Sequence, residues 1–101
     1  MTKRDLVVRI AHQTDLHQQD VMEVVQRTLD IITNEVGAGR NVEFRNFGVF
    51  QLTKRRPRTG RNPKKPDDTV RIPERVAVKF KPGRIMKQKV DKLKPEDIEK
   101  D

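Results

Sequence analysis

The 101-residue sequence contains no cysteine, serine, tryptophan or tyrosine. Without cysteine it cannot form disulfides, thiolate nucleophiles or zinc sites with sulfur ligands. Without serine or tyrosine it is neither a serine hydrolase nor a tyrosine recombinase. No stretch approaches the roughly 20 apolar residues that a membrane span needs, and polar residues precede any apolar run at the start, which predicts no secretory signal. We therefore expect a small cytoplasmic protein without enzymatic activity.

Charged residues make up 38% of the chain and hydrophobic residues 33%, so little material is left for a core. The net charge is +8 and the pI is about 10.2. Residues 44–89 carry fifteen lysines and arginines against three acids, whereas each flank is net −2. The segment 54–65 holds seven cations and no acid, and charges at that density resist burial. This segment is either a solvated basic loop or the surface that meets a polyanion.

Two helices are predicted at the start of the chain. Thr2 and Asp5 have the spacing of a capping box, and the apolar residues of the segment that follows fall on one helix face. A second helix is expected from about Gln18, with apolar residues at steps of three and four as far as Val36. The glycines at positions 37 and 39 are expected to end it.

The pattern then changes to the alternation typical of strands. Residues 41–44 and 50–53 alternate around a turn in which Asn46 and Gly48 tolerate positive φ. Residues 69–72 and 75–80 alternate again, which predicts a two-stranded ribbon that folds back near residues 62–66. A short basic helix is expected within 81–90, followed by an acidic tail. The predicted fold class is α+β.

The predicted arm, at about residues 53–75, contributes little to a core. The remaining body of about 75 residues is in the range where a single core is marginal. An intertwined dimer that shares apolar residues would solve this problem. The residues expected in the shared core lie on the second helix and among the phenylalanines: Val25, Leu29, Ile32, Phe44, Phe47, Phe50 and Phe80.

Other candidate sites give weaker signals. His12 and His17 would lie about 140° apart on a continuous helix, which argues against their binding one metal ion together. Asp67 and Asp68 resemble a paired-carboxylate site, but charge balance with the neighbouring lysines explains them more simply. Residues 45–52 partly match an RNA-recognition signature, with Asn46 in place of glycine. We interpret the phenylalanines of that stretch as core residues, and an RNA-binding or ribosome-associated module stays as a distant alternative. No metal site and no cofactor is expected.

One ordered set of motifs is specific. The sequence contains, in this order, the stretch 58–63 (Arg-Thr-Gly-Arg-Asn-Pro), Ile72-Pro73 and the stretch 80–84 (Phe-Lys-Pro-Gly-Arg). With these motifs, the chain resembles the bacterial histone-like HU and integration host factor family over residues 1 to about 90. The resemblance implies an intertwined dimer whose two β-arms embrace DNA from the minor-groove side. It also implies that Pro63 wedges between base pairs, an action described for HU-type architectural proteins. The chain departs from the family after Pro63, where the usual Thr-Gly turn is replaced by residues 64–68, one residue longer.

We therefore predict an architectural protein that binds and bends double-stranded DNA as a homodimer, with little sequence preference and in association with the nucleoid. The close alternative is an integration-host-factor-like subunit that prefers certain sites and pairs with a different chain. Residues 1–90 are expected to form the DNA-binding domain, and 91–101 a short, flexible, acidic tail. The residues expected to contact DNA are Lys3, Lys54, Arg55, Arg56, Arg58, Thr59, Arg61, Asn62, Pro63, Lys64, Lys65, Arg71, Arg75, Lys81, Arg84 and Lys87.

Overall fold

The computed structural model describes residues 1–56, 58–62 and 65–98, with the backbone alone described in 58–62 and 65–72. These residues form three α-helices and five strands, so the predicted α+β class is confirmed. The chain divides into two units, Met1–Ala38 and Gly39–Asp101. No helix in the described ranges is both long enough and apolar enough to cross a membrane. The elements are α1 (Lys3–Thr14), α2 (Gln18–Gly37), β1 (Val42–Phe44), β2 (Gly48–Arg55), β3 (Arg58–Asn62), β4 (Lys65–Ile72), β5 (Arg75–Pro82), α3 (Arg84–Asp91) and a 3₁₀ turn (Pro95–Asp97).

The first unit is a pair of helices whose ends follow the predicted signals. The hydroxyl of Thr2 accepts from the Asp5 N–H (3.2 Å), and the Asp5 carboxylate accepts from the Thr2 N–H (3.0 Å). The hydrogen bond from the Thr2 backbone N–H, and after it the interaction with the Thr2 side chain, hold the pKa of the Asp5 carboxyl below its ordinary value. Helix α2 begins after His17, which makes no side-chain cap. The helix includes Gly37, one of the two glycines predicted to end it, and stops before the other, Gly39, which has φ 90°.

The buried centre of the first unit is small. The buried apolar side chains of the described residues are Val7, Ala11 and Val21. Ile10, Met22 and Val25 pack around them in a partly buried shell. None of the seven residues predicted for the shared core is therefore fully buried within one chain.

The second unit is built on an antiparallel sheet in the order β1-β2-β5. The β1–β2 turn is closed by a hydrogen bond from the Phe47 N–H to the Phe44 carbonyl (3.0 Å). Asn46 adopts φ 68°, as the sequence predicts. Gly48, in contrast, starts β2 without a positive φ, and its role is in packing. Three ring contacts link Phe44 to Phe47, Phe47 to Phe80 and Phe50 to Phe80 at centroid distances of 6.3, 5.6 and 5.1 Å.

The predicted ribbon is present as two ladders in one register. The β2–β5 ladder ends at the pair Arg55–Arg75, and the β3–β4 ladder resumes at Arg58–Ile72. Two residues separate the ladders on each strand, and Pro73 among them has no N–H to donate. The ribbon therefore continues from the sheet without a net insertion.

The extra length near the arm tip lies in β4. Arg61 pairs with Thr69, but Asn62 pairs with Lys65, so residues 66–68 have no partners on β3. Such an excess on one strand is a bulge, which bends and twists the strand that carries it. The register shift therefore leaves Pro66, Asp67 and Asp68 of the returning strand without partners on β3.

The C-terminal helix α3 is shorter than the basic segment, residues 81–90, in which it was expected. Strand β5 continues to Pro82, and α3 runs over Arg84–Asp91 rather than from residue 81. The reason is Gly83, whose N–H donates to the Phe47 carbonyl (2.7 Å) and fixes the chain against the β1–β2 turn. A Cβ at Gly83 would lie 2.9 Å from backbone carbons of Asn46 and Phe47, so this close approach requires glycine.

Candidate nucleic-acid interface

The register of β2 and β5 assigns every side chain of the ribbon base to one of two faces. Successive residues of a strand point to opposite faces, and directly paired residues share a face. One face carries the pairs Phe50–Phe80, Leu52–Val78 and Lys54–Val76. The other carries Val49–Lys81, Gln51–Lys79, Thr53–Ala77 and Arg55–Arg75.

The first of these, the apolar face, separates Lys54 from the other predicted DNA contacts. The contact between the Phe50 and Phe80 rings lies on this face. Lys54 is exposed and lines a groove together with Leu52 and Val76. Sequence analysis grouped it with the cations of the arm because they are adjacent in sequence, but the sheet directs it to the opposite side from Arg55.

The second face, the basic face, adds two residues that sequence analysis missed. Gln51 and Lys79 form a cross-strand pair on the same face as Arg55, Arg75 and Lys81. Lys79 and Lys81 are two residues apart on β5, a rise of about 6.8 Å. The alternation of residues 75–80 contains the signal for Lys79, because it places this lysine on the strand face opposite Phe80.

A second group of cations lies at the C-terminal end of the same unit. Arg84 and Lys87, both exposed, are three residues apart on α3 and are neighbours on its surface. Lys81 precedes them on β5. Because Gly83 is anchored to Phe47, the start of α3 is held at a defined place beside the sheet. Four of the predicted DNA contacts lie outside the arm, namely Lys3, Lys81, Arg84 and Lys87, and the last three belong to this unit.

The fourth residue, Lys3, belongs to the first unit. Its ammonium donates to Oε1 of Gln26, and Nε2 of Gln26 donates to the Asp30 carboxylate (3.0 Å). The carboxylate accepts from the amide nitrogen, so the amide oxygen is directed to Lys3. Lys3 is therefore held by a neutral amide and not by an acid among the described residues.

The described cations of the basic face and α3 are not neutralised locally. An ion pair joins Arg27 and Glu23 on α2 (3.0 Å). No ion pair joins Arg55, Arg75 or Lys79 to an acid within the described part of the chain. In the same ranges, no three side chains capable of holding a metal ion come together.

For most of the other DNA contacts predicted in the arm, the structure describes only the backbone, and two of them lie outside the described residues. Arg56 is exposed and follows the last residue of β2. Pro63 and Lys64 lie outside the described residues, as do residues 99–101 of the tail. Six predicted contacts belong to strands β3 and β4, where the backbone is described: Arg58, Thr59, Arg61, Asn62, Lys65 and Arg71.

Comparison with known families decides the assignment. The family model described as bacterial DNA-binding protein matches residues 1–91, which end where α3 ends. The chain belongs to this family. The family contains the HU and integration host factor proteins, so the resemblance found in the sequence is confirmed, and the chain is an architectural DNA-binding protein of this type.

Individual relatives carry both names. A probable DNA-binding protein HU of Chlamydia trachomatis is 42% identical over 91 residues, which are 90% of this chain and 91% of the relative. An integration host factor subunit beta of Herminiimonas arsenicoxydans is 37% identical over 102 residues and covers 100% of both chains. The HU–DNA cocrystal structure from Anabaena matches with a TM-score of 0.83 at 29% identity, covering 92% of this chain and 100% of that one.

Proposed function

We propose that this HU/IHF-family chain acts as a homodimer that bends or compacts double-stranded DNA with little sequence preference. In this proposal it approaches DNA from the minor groove with two β-arms and associates with the nucleoid in the cytoplasm. The observation that supports it most directly is the two-faced ribbon base. Its apolar face carries Phe50 and Phe80, whereas its basic face carries Arg55, Arg75 and Lys79.

Apolar exposure supports the dimer. Leu29, Phe44 and Phe47 are 44%, 40% and 47% exposed in the single chain, and Val25 and Ile32 are half-buried. Large apolar patches on a small protein mark surfaces that meet a partner. Burial of these side chains against a second copy would add to the three apolar side chains that are buried among the described residues of one chain.

The minor-groove mode is supported by the arm and by the family. Strands β3 and β4 continue the register of the sheet and carry Arg58 and Arg61, whose guanidinium groups suit a narrow and strongly negative groove. The Anabaena HU protein was crystallised with DNA. An apolar ring such as that of Pro63 can unstack a base step without needing hydrogen bonds.

A second candidate is an integration-host-factor-like subunit that pairs with a different chain and prefers certain DNA sites. The relative from Herminiimonas arsenicoxydans, which covers the full length of both chains, favours it. The two candidates differ in partner and in site preference. A purified chain that forms a stable dimer and binds unrelated duplexes equally supports the first, and a monomer that dimerises only with a second subunit supports the other.

The experiment that tests the proposal combines light scattering of the protein alone with titration of a short DNA duplex at several salt concentrations. We expect a dimer, and a log affinity that falls linearly with log salt by about 0.9 for each phosphate contacted. An RNA hairpin of equal charge is the control, because it offers 2′-hydroxyl groups and A-form grooves. Equal or tighter binding of the hairpin, or a stable monomer that binds no DNA, would overturn the proposal.

A further inference from the structure

Two arginines face each other at the point where the sheet ends and the arm begins. Arg55 of β2 is the direct partner of Arg75 of β5, and theirs is the last pair of that ladder. Directly opposite residues have Cβ atoms about 4.5–5.5 Å apart, and like charges at that position destabilise the sheet. Both side chains are exposed. A repulsive pair is therefore held at the base of the arm.

No acid on the described part of this face compensates the pair. Glu43, which pairs with Val49, lies at the opposite end of the face, about 20 Å away at the usual strand rise. Glu74 is adjacent to Arg75 in the chain but lies outside the ladder and forms no ion pair with it among the described residues. The next pair on the face is Thr53–Ala77, whose side chains are small. A bulky anion can therefore approach both guanidinium groups from that side.

We propose that Arg55 and Arg75 form a clamp on a single DNA backbone phosphate at the base of each arm, an inference that rests on the proposed function. A guanidinium group is a rigid fork that matches phosphate oxygens, and charge-assisted hydrogen bonds of this kind are the strong ones. Two forks on opposite strands can hold the two non-bridging oxygens of one phosphate. The phosphate removes the repulsion between the arginines, so the pair is stabilised when DNA is bound.

The number of phosphates distinguishes a clamp from two separate contacts. Neutralising one phosphate contributes about 0.9 to the slope of log affinity against log salt. We expect Arg55→Gln with Arg75→Gln to lower the slope by about 0.9 per arm, because both side chains serve one phosphate. Two independent contacts would lower it by about 1.8 per arm. The single variants should also be non-additive in affinity, as expected for side chains that share a partner.

The matched control is Lys92→Gln, which removes one charge from an exposed lysine that follows α3 and is not among the expected DNA contacts. We expect it to leave the slope unchanged. A slope loss of about 1.8 per arm in the double variant, or a slope equal to that of the parent, would overturn the clamp. If the parent protein itself binds no duplex, the proposed function is wrong. If the parent binds DNA and the arginine variants bind with the same affinity and slope, only the clamp is wrong.

A measurement without DNA shows whether the variants fold and whether the arginines repel. At low salt, Arg75→Gln should unfold at a temperature equal to or above that of the parent, because one member of a like-charged pair is gone. Arg75→Lys keeps the charge and removes the fork. It should retain most of the salt slope while binding DNA more weakly, and a lysine variant with the parent's affinity would contradict a clamp that depends on guanidinium geometry.

Discussion

Gly48 lies against the tip of the Phe80 ring. A Cβ built on Gly48 would come within 2.5 Å of the Phe80 Cζ and 2.7 Å of the Lys81 carbonyl oxygen. Displacing either atom would disrupt other contacts, because the ring also contacts Phe47 and Phe50 and the carbonyl belongs to the β2–β5 ladder. The start of β2 is thus fixed by contact with the aromatic cluster and not by a special φ.

The first prediction follows from this contact. Gly48→Ala should lower the free energy of unfolding by about 1–3 kcal/mol, the usual cost of overpacking, measured by urea denaturation. Gly37→Ala is the control, because a Cβ there meets nothing within 4 Å. That variant should be neutral or stabilising by up to about 1 kcal/mol, since alanine favours the helix. Equal stability of the two variants would contradict the packing role of Gly48.

The second prediction concerns pH. The pKa of the Asp5 carboxyl is held below its ordinary value by hydrogen bonds with Thr2. A lowered folded-state pKa gives stability that is complete above the unfolded-state pKa and is lost as the pH falls through the folded-state value. Asp5→Ala should therefore lower the unfolding temperature at neutral pH, and the difference from the parent should shrink below about pH 4. A difference that is constant with pH would show that the charge of Asp5 is not involved.

How far the sequence predicts this fold depends on the range of the signal. Local signals placed the elements well, because the capping box at Thr2 and the glycine at position 39 act on adjacent backbone. Contacts distant in sequence were not visible. The stop of β5 at Pro82 depends on the hydrogen bond from Gly83 to Phe47, a residue 36 positions earlier in the chain, and no local pattern encodes it.

The candidate interface shows the same division. The charge density of residues 54–65 put Lys54 and Arg55 in one predicted surface, because density carries no information about direction. Direction is set by the strand register, which pairs Lys54 with Val76 and Gln51 with Lys79. Extending the alternation of residues 50–53 by two positions would have separated Lys54 from Arg55. The pairing of the two arginines, in contrast, requires the register itself.

The third prediction tests this assignment of faces. Lys79→Gln should weaken DNA binding and reduce the salt slope by about 0.9 per protomer, because Lys79 lies on the basic face. Lys54→Gln removes the same charge from the apolar face and should leave the slope as it is. The measurement is a duplex titration between low and moderate salt. The face assignment would be wrong if the Lys54 variant lost more affinity than the Lys79 variant.

The fourth prediction concerns bending. Pro63→Ala keeps the charge of the arm and shortens only the apolar ring that the family resemblance assigns as the wedge. We expect a clear loss of bending, measured by energy transfer between the two ends of a short duplex, with a smaller loss of affinity at low salt. Pro66→Ala is the control, since Pro66 lies in the bulge of β4. If the Pro66 variant loses the bend and the Pro63 variant keeps it, the wedge belongs to Pro66.

The last prediction concerns the acidic tail. Beyond α3 the chain forms the 3₁₀ turn Pro95–Asp97, in which the Asp97 carboxylate accepts from the Lys94 N–H (3.0 Å). Leu93 and Ile98 are 55% and 66% exposed, so the described part of the tail is not packed into the body. Its acids can meet the cations of α3 when DNA is absent. Each such exposed pair contributes at most about 1 kcal/mol and is screened by salt.

Deleting residues 93–101 should therefore tighten DNA binding a few-fold at low salt and have almost no effect near 0.3 M, where the Debye length falls to about 6 Å. Glu96→Gln with Glu99→Gln is the matched variant, because it removes two charges and leaves the Asp97 hydrogen bond in place. It should reproduce part of the gain. Unchanged binding at low salt in both variants would show that the tail does not compete with DNA. Unfolding of the truncated chain would instead mean that Leu93 or Ile98 packs in the dimer and that the domain extends beyond residue 90.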